Sequence, residues 1–275
     1  MRTTNLQVKK DNLTRRLKTF GPLAVAFSGG ADSAFLAAAA KEVLGSGMLA
    51  LKALSPLHPQ SEHRAALKFA AAFDIPLKVV ATEELQVPGF AANPPDRCYR
   101  CKKYLLSRLA DEAAKMGFAH LVHGANRDDL SDYRPGFKAA RELGIAAPLI
   151  DADLTKAEIR TLSRAMGLST WNRPSMACLA SRVPYGTPLT VAVLGQVARA
   201  EGILHEMGIE ACRVRHHGHI ARIEIDPGDF TRLATEGVRQ KLAVKLKALG
   251  YDHICLDLEG YVEGSLNRAL KERDP

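Results

Sequence analysis

The chain has 275 residues, of which 47% are hydrophobic and 25% are charged, and its formal net charge is +8. This composition excludes a disordered protein, and the length predicts one large domain or two unequal ones. The basic charge is compatible with nucleic acid or with a phosphate-rich small substrate, but a generally basic protein would show it as well.

The composition of the chain also bears on where it works. The first ten residues are polar, and no apolar stretch reaches the length of a membrane span. We therefore expect a cytoplasmic protein with no membrane partner. The basic residues are dispersed, so no RNA-binding tail is visible.

Strand and helix patterns alternate along the first 166 residues. The predicted strands are 22–27, 48–54 and 77–81, and a fourth predicted strand has residues 120–123 as its last part. The predicted helices are 10–19, 34–44, 62–73, 99–116 and 156–166. Such alternation predicts an α/β fold with a doubly wound parallel sheet.

The later part of the chain has a different pattern. Predicted helices at 191–207 and 230–249 and predicted strands at 212–216, 220–225 and 251–258 indicate a smaller C-terminal α+β domain. We place the two domains at 1–180 and 181–275. The proline-containing loops 83–98 and 168–188 are candidates for the site, because ligands of open α/β sheets bind at the carboxyl ends of the strands.

The loop Ser28–Ser33 reads Ser-Gly-Gly-Ala-Asp-Ser and lies between a predicted strand and a predicted helix. Glycines allow a sharp turn that presents backbone N–H groups, and the helix adds its positive N-terminal end. The loop therefore predicts a site for an anion such as pyrophosphate. The hydroxyls of Ser28 and Ser33 can donate to phosphate, and Asp32 either caps the helix or holds Mg²⁺.

This string resembles the Ser-Gly-Gly-x-Asp-Ser signature of the PP-loop pyrophosphatases, which cleave ATP between the α and β phosphates. The resemblance extends from about residue 25 to 267, and within it the chain is similar to the LarE family of ATP-dependent sulfur transferases. The strings that carry it are Asp-Tyr-Arg-Pro-Gly at 132–136, Trp-Asn at 171–172, Ser-Arg-x-Pro-Tyr-Gly-Thr at 181–187 and Arg-Val-Arg-x-His at 213–217.

The resemblance implies a reaction and a set of residues. LarE-like enzymes adenylate a carboxylate of pyridinium-3,5-biscarboxylic acid mononucleotide, and sulfur then displaces AMP to leave a thiocarboxylate. The implied residues for ATP and Mg²⁺ are Ser28, Gly29, Gly30, Asp32, Ser33 and Gly124. The implied residues for the substrate are Arg134, Ser181, Arg182, Glu201, Arg213, Arg215 and Asp229. It also implies a homo-oligomer, either a trimer or a hexamer.

The cysteines suggest how sulfur is supplied. In this family, three cysteines imply a [4Fe–4S] cluster, so Cys98, Cys101 and Cys178 are the predicted catalytic and cluster-binding residues. Three alternatives stay open: Cys178 alone is sacrificed, the Cys-x-x-Cys pair is a redox dithiol, or the pair holds zinc. Cys212 and Cys255 lie in predicted strands, where we expect small buried side chains.

Two other functions compete with this one. A tRNA thiolase of the same superfamily can also combine a Cys-x-x-Cys pair with a distant cysteine, and a charge of +8 suits it. The LarE-like strings and the lack of an added RNA-binding module favour a small nucleotide instead. An amide-forming PP-loop ligase would give the cysteines no purpose.

Overall fold

The computed structural model describes residues 2–130, 135–173, 177–262 and 265–267. These residues form two compact units, one made of 2–87 and 96–173 and the other of 88–95 and 177–267. Within the described ranges, no helix is both long and apolar enough to cross a membrane.

The first unit contains a four-stranded parallel sheet in the strand order β3-β2-β1-β4. Its elements are α1 (Arg2–Phe20), β1 (Leu23–Ala26), α2 (Ala31–Leu44), β2 (Met48–Leu54), α3 (Gln60–Ala72), β3 (Leu77–Ala81), α4 (Arg97–Lys115), β4 (His120–His123), α5 (Pro135–Glu142), α6 (Pro148–Asp151) and α7 (Lys156–Ala165). The predicted α/β class is confirmed.

The central strand shows why helices cover both faces of this sheet. Leu23 and Val25 pack in one core with residues of α1, α2, α3 and α7, whereas Ala24 packs in another with residues of α4 and α5. Side chains of a strand alternate between its two faces, so a strand that is apolar throughout is buried on both. Both cores meet at β1, and the loop that follows β1 is fixed by them.

The second unit is a small α+β structure. It contains α8 (Val191–Glu206), β5 (Cys212–His217), β6 (Ile220–Ile225), α9 (Phe230–Ala234), α10 (Glu236–Lys247) and β7 (His253–Leu256). β5 and β6 are antiparallel, and β7 joins β6 in parallel. One face of this sheet packs on α8 and α10 through residues such as Val214, Ile223 and Leu246, while the other carries charged side chains.

Several predicted elements differ from the structure. The single helix expected at 230–249 is wrong, because Thr235 adopts an extended backbone (ψ 131°) between α9 and α10. The short helices α5 and α6 were not predicted. α4 begins at Arg97, so the loop expected to reach residue 98 ends earlier.

The segment 88–95 belongs to the second unit, and Asn93 makes several of its contacts there. This fully buried residue donates from Nδ2 to the Pro184 carbonyl at 2.7 Å, and its own carbonyl accepts from the N–H of Gly186 at 3.0 Å. Asn93 has a positive φ of 56°, a conformation that asparagine tolerates better than most residues. The two long loops therefore meet, and the Ser-Arg-x-Pro-Tyr-Gly string is held by the first of them.

Candidate ATP and substrate sites

The loop after β1 is organised around the hydroxyl of Ser33. Ser33 Oγ accepts hydrogen bonds from the N–H groups of Ser28 and Gly29, each at 3.2 Å, and lies 2.9 Å from Ser28 Oγ. It donates to the Gly30 carbonyl at 3.1 Å. Backbone N–H groups that converge on one oxygen form a concavity suited to an anion. The predicted loop residues Ser28, Gly29, Gly30 and Ser33 are thus brought together around one hydroxyl.

Two glycines are required by close packing around this loop. A Cβ at Gly124 would stand 2.9 Å from Ser33 N and 3.0 Å from Ser33 Cα, so the end of β4 lies directly against the first turn of α2. Gly29 has a φ of +90°, and its Cβ would stand 2.8 Å from that of Ala66. Larger residues would force both backbones apart. Gly124 therefore forms a wall of the loop.

Asp32 does not cap α2, so the capping alternative is wrong. The N-cap is Gly30, and Asp32 Oδ2 lies 2.6 Å from Nζ of Lys156, the first residue of α7. Burial raises the pKa of the Asp32 carboxyl, whereas Lys156 and Asn126 lower it. Its Oδ1 is buried without a regular hydrogen bond. Such an under-solvated carboxylate beside a phosphate loop fits Mg²⁺, which binds carboxylate and phosphate oxygens together.

Two basic residues that were not predicted from the sequence donate hydrogen bonds to backbone carbonyls of the loop. Lys52 of β2 is 6% exposed and donates to the Ser28 carbonyl at 2.9 Å, and Arg173 donates to the Gly29 carbonyl at 3.1 Å. Burial lowers the pKa of Lys52, while Glu62 opposes the shift. Lys52 could have been identified from the sequence, because a lysine within an otherwise apolar strand is unusual. Arg173 gave no such signal, because it lies in an irregular loop.

The cysteine pair lies on a helix rather than in a proline-rich loop, which corrects the sequence-based placement. Cys98 is exposed and Cys101 half-buried, and both belong to the first two turns of α4. Residues three apart in a helix share one face. The redox-dithiol alternative therefore stays open. Next along the helix, burial lowers the pKa of Lys102, while the charges of Cys101 and Asp129 oppose the shift.

The residues around Cys178 are held by a buried network within the second unit. The Cys178 carbonyl accepts from Ser181 Oγ at 2.7 Å, from Ser181 N–H at 3.0 Å and from Arg182 Nη1 at 3.1 Å. Arg182 also forms a two-bond ion pair with Glu201 of α8, at 2.8 and 3.0 Å. Glu201 in turn accepts from the Val214 N–H of β5. Arg182 and Glu201 therefore fix the backbone beside Cys178.

The predicted arginines of β5 lie on the charged face of the small sheet, but their surroundings differ. Arg215 is 6% exposed and pairs with Glu224 at 2.9 and 2.6 Å, and it donates to the Ser181 carbonyl at 2.8 Å. Arg213 is more open and stacks its guanidinium over Tyr261, 4.8 Å from the ring centroid. Arg213 is thus the better placed of the two to contact a ligand.

Two further predicted substrate residues, Asp229 and Arg134, add little to the description of the substrate site. The ion partner of Asp229 in the described part of the second unit is Arg232 of α9, at 4.0 Å, rather than an arginine of β5. Arg134 lies outside the described residues.

The cysteines differ in chemistry. Cys212 is fully buried, as expected, and burial together with Glu201 raises the pKa of its thiol to about 12. Cys255 is exposed on the edge strand β7, so the expectation that it is buried is wrong. Across the ranges that the structure covers, no three His, Cys, Asp or Glu side chains form a group that could hold a metal ion.

The chain was compared with known proteins. No protein-family model matches it. A protein of Lactiplantibacillus plantarum named pyridinium-3,5-bisthiocarboxylic acid mononucleotide synthase is 37% identical over 96% of this chain and 96% of its own length. An uncharacterized protein of Synechocystis is 38% identical over 96% of this chain and 99% of its own, and one of Methanocaldococcus jannaschii is 28% identical over 92% and 95%. The similarity spans both compact units.

Proposed function

The chain belongs to the LarE family, and we propose that it is an ATP-dependent sulfur transferase acting on pyridinium-3,5-biscarboxylic acid mononucleotide. In the proposed reaction a substrate carboxylate oxygen attacks the α-phosphorus of ATP and pyrophosphate leaves. A sulfur nucleophile then attacks the acyl carbon, AMP leaves, and a thiocarboxylate remains. The observation that carries the proposal is the 37% identity to the named synthase along nearly the whole of both chains.

The loop around Ser33 supports the adenylation step. Its converging N–H groups and the start of α2 provide positive partial charge where pyrophosphate would accumulate negative charge. Ser28, Gly29, Gly30, Ser33 and Gly124 would bind the phosphates. Asp32, with its under-solvated carboxylate, would hold Mg²⁺, which neutralises phosphate charge when it is bound.

The charged face of the small sheet supports a phosphate-bearing substrate. A guanidinium matches two phosphate oxygens at once, and Arg213 presents one from a half-buried position. Arg215 is anchored by Glu224 and the Ser181 carbonyl, so it would shape the site and keep β5 against the Cys178 loop. Ser181, Arg182, Glu201 and Asp229 complete the proposed substrate set.

The sulfur source is proposed to be a [4Fe–4S] cluster bound by Cys98, Cys101 and Cys178. The donor chemistry supports it, because these three thiols are exposed or half-buried, whereas the thiol of Cys212 is buried and held protonated. When bound, such a cluster would supply the sulfide that is transferred. The protein's own contribution would be to present two thiols from one face of α4 and to fix the backbone of Cys178 through Arg182.

Two alternatives keep the same fold. In the first, Cys178 gives up its own sulfur and the pair on α4 is not required. In the second, the chain is a tRNA thiolase. The distribution of charge argues against the second: residues 177–275 contain 13 basic and 13 acidic residues, so the whole charge of +8 lies in residues 1–176, with the phosphate loop. A small nucleotide therefore remains the proposed substrate. Homo-oligomerisation as a trimer or hexamer is proposed on the family relationship alone.

Product analysis tests the ATP chemistry. The enzyme should release AMP and pyrophosphate, and pyrophosphate should appear only when the biscarboxylate nucleotide is present. Asp32→Ala should abolish this release, whereas Asp74→Ala, which removes an exposed carboxylate paired with Lys41, should not. Release of ADP and orthophosphate by the wild type would exclude the PP-loop reaction.

A further inference from the structure

Lys52 is a buried lysine whose ammonium contacts the backbone of the loop after β1. It lies on the same face of β2 as Met48 and Ala50, which pack in the core with residues of α3. Among the residues that the structure describes, the Ser28 carbonyl, at 2.9 Å, is the only hydrogen-bond acceptor of this ammonium. Burying a charged group in an apolar face costs free energy. Core packing therefore does not account for a lysine at this position.

The hydrogen bond from Lys52 fixes the orientation of the peptide that joins Ser28 to Gly29. In a trans peptide the C=O and the N–H point in opposite directions, so a donor on the carbonyl turns the N–H to the other side. The N–H of Gly29 accordingly donates to Ser33 Oγ at 3.2 Å, where the N–H groups of the loop converge. Lys52 thus acts on Gly29 without contacting it.

The next peptide is held in the same way by a different side chain. Arg173 donates to the Gly29 carbonyl, and the N–H of Gly30 donates to Ser28 Oγ at 3.2 Å. The two anchors differ in their base, because Arg173 lies in an irregular loop, whereas Lys52 belongs to a strand paired with β1 on one side and β3 on the other. Lys52 is therefore the anchor with the more firmly placed backbone.

We infer that Lys52 is a positioning residue of the adenylation step: its ammonium holds the Ser28 carbonyl so that the Gly29 N–H stays among the N–H groups that would contact the phosphates of ATP. The inference rests on the proposed function. Glycines have the largest backbone freedom, so ordering Gly29 and Gly30 during ATP binding would lower the affinity. Because Lys52 orders this part of the loop in the free enzyme, that cost is not incurred on binding. The N–H groups are then in place when negative charge develops on the departing pyrophosphate.

Lys52→Met separates positioning from a merely structural role. Methionine keeps an unbranched apolar stem of similar length and removes the donor. Loss of a buried charge should not lower the free energy of unfolding, whereas the affinity for pyrophosphate should fall by about 10-fold. The affinity for AMP, which lacks the β and γ phosphates, should stay within about twofold of the wild-type value. Calorimetric titration with each ligand and urea unfolding give these readouts.

Two further variants complete the experiment. Lys78→Met is the matched control, because Lys78 lies on the neighbouring strand β3 and pairs with Glu112 at 2.5 Å, so its removal should change the affinity for neither ligand. Lys52→Arg restores a charged donor at the same position and should recover most of the affinity for pyrophosphate.

The outcomes separate this inference from the proposed function. If Lys52→Met bound pyrophosphate as tightly as the wild type, the inference would be overturned and the proposed function would stand. A lower free energy of unfolding with equal losses of affinity for pyrophosphate and AMP would also overturn it, because a loosened sheet would explain both losses. If the wild type bound pyrophosphate but formed none from ATP and the biscarboxylate nucleotide, the proposed function would fail, and the inference with it.

Discussion

Arg182 and Glu201 form a two-bond ion pair whose side chains are only 5% and 6% exposed, and the same guanidinium donates to the carbonyls of Ala177 and Cys178. The peptide that carries Cys178 is thereby tied to α8. The side chain of Cys178 itself stays half-exposed. A half-exposed thiol is thus carried on a backbone that hydrogen bonds tie to α8.

The first prediction concerns this pair. Arg182→Ala should destabilise the protein by about 3 kcal/mol, because it leaves the Glu201 carboxylate buried without its partner. It should also release the Cys178 backbone and raise the rate at which the Cys178 thiol is alkylated. Urea unfolding and peptide mass spectrometry after timed alkylation measure both effects.

The exposed arginine of α10 provides the control for that experiment. Arg239→Ala should leave the unfolding free energy within about 0.5 kcal/mol of the wild-type value. Equal stability and equal Cys178 alkylation in Arg182→Ala and wild type would show that the pair does not hold the loop.

The second prediction separates the two arginines of β5. Arg213→Ala should weaken binding of the pyridinium nucleotide by about 1.5–3 kcal/mol while the fold and ATP affinity are kept, since its guanidinium rests on Tyr261 at a half-buried position. Arg215→Ala should instead lower stability, because Glu224 is 1% exposed and loses its main partner. Calorimetry with each ligand and urea unfolding give the two readouts.

A reversed result would contradict this assignment. If Arg215→Ala were as stable as the wild type but no longer bound the pyridinium nucleotide, and Arg213→Ala bound it normally, the substrate phosphate would lie at Arg215 instead.

Much of the fold could be predicted, because its signals are local. Strands at 48–54, 77–81 and 220–225 have the predicted bounds, and the fourth strand ends at residue 123 as predicted, since apolar β-forming runs between turn residues are read directly from sequence. The break at Thr235 and the four-residue helix α6 were missed, because a continuous helical pattern hides one extended residue and a single turn has no periodicity.

The candidate site was predictable where a contiguous string forms it. Ser28–Ser33 is such a string, whereas Lys52, Lys156 and Arg173 reach the loop from 24 to 144 residues away. Contacts at that separation depend on the tertiary fold. Exposure of Cys255 was misjudged for a similar reason, because its strand lies at the edge of a sheet whose order the sequence does not reveal.

The third prediction concerns sulfur. Anaerobic reconstitution should give a brown protein with about four irons per chain, as a cubane requires. Cys98→Ala, Cys101→Ala and Cys178→Ala should each lose iron and sulfur transfer. Cys212→Ala and Cys255→Ala, which alter a buried protonated thiol and an edge-strand thiol, should keep both.

The sacrificial alternative makes the opposite forecast. A colourless protein that remained active in Cys98→Ala, turned over once and lost about 34 Da from the peptide containing Cys178 would exclude the cluster.

The fourth prediction is a pH dependence. Burial, followed by Lys102, lowers the pKa of His123 to about 4. The unfolded chain binds a proton at this residue below about pH 6.5, while the folded chain does not, so stability should fall as pH drops from 6.5 to 4. Relative to His123→Asn, the wild type should lose about 2 kcal/mol between pH 7 and pH 5. Urea unfolding at both pH values tests this, and equal losses in the two proteins would contradict it.

The most direct test of the central claim is a competition for sulfur transfer under anaerobic conditions. Reconstituted enzyme with ATP is offered the pyridinium biscarboxylate nucleotide and bulk tRNA together, and both are analysed by mass spectrometry alongside a pyrophosphate assay. The account predicts a thiocarboxylate nucleotide, one pyrophosphate for each sulfur introduced, and unmodified tRNA. Thiolated tRNA with an unchanged pyridinium nucleotide would contradict it.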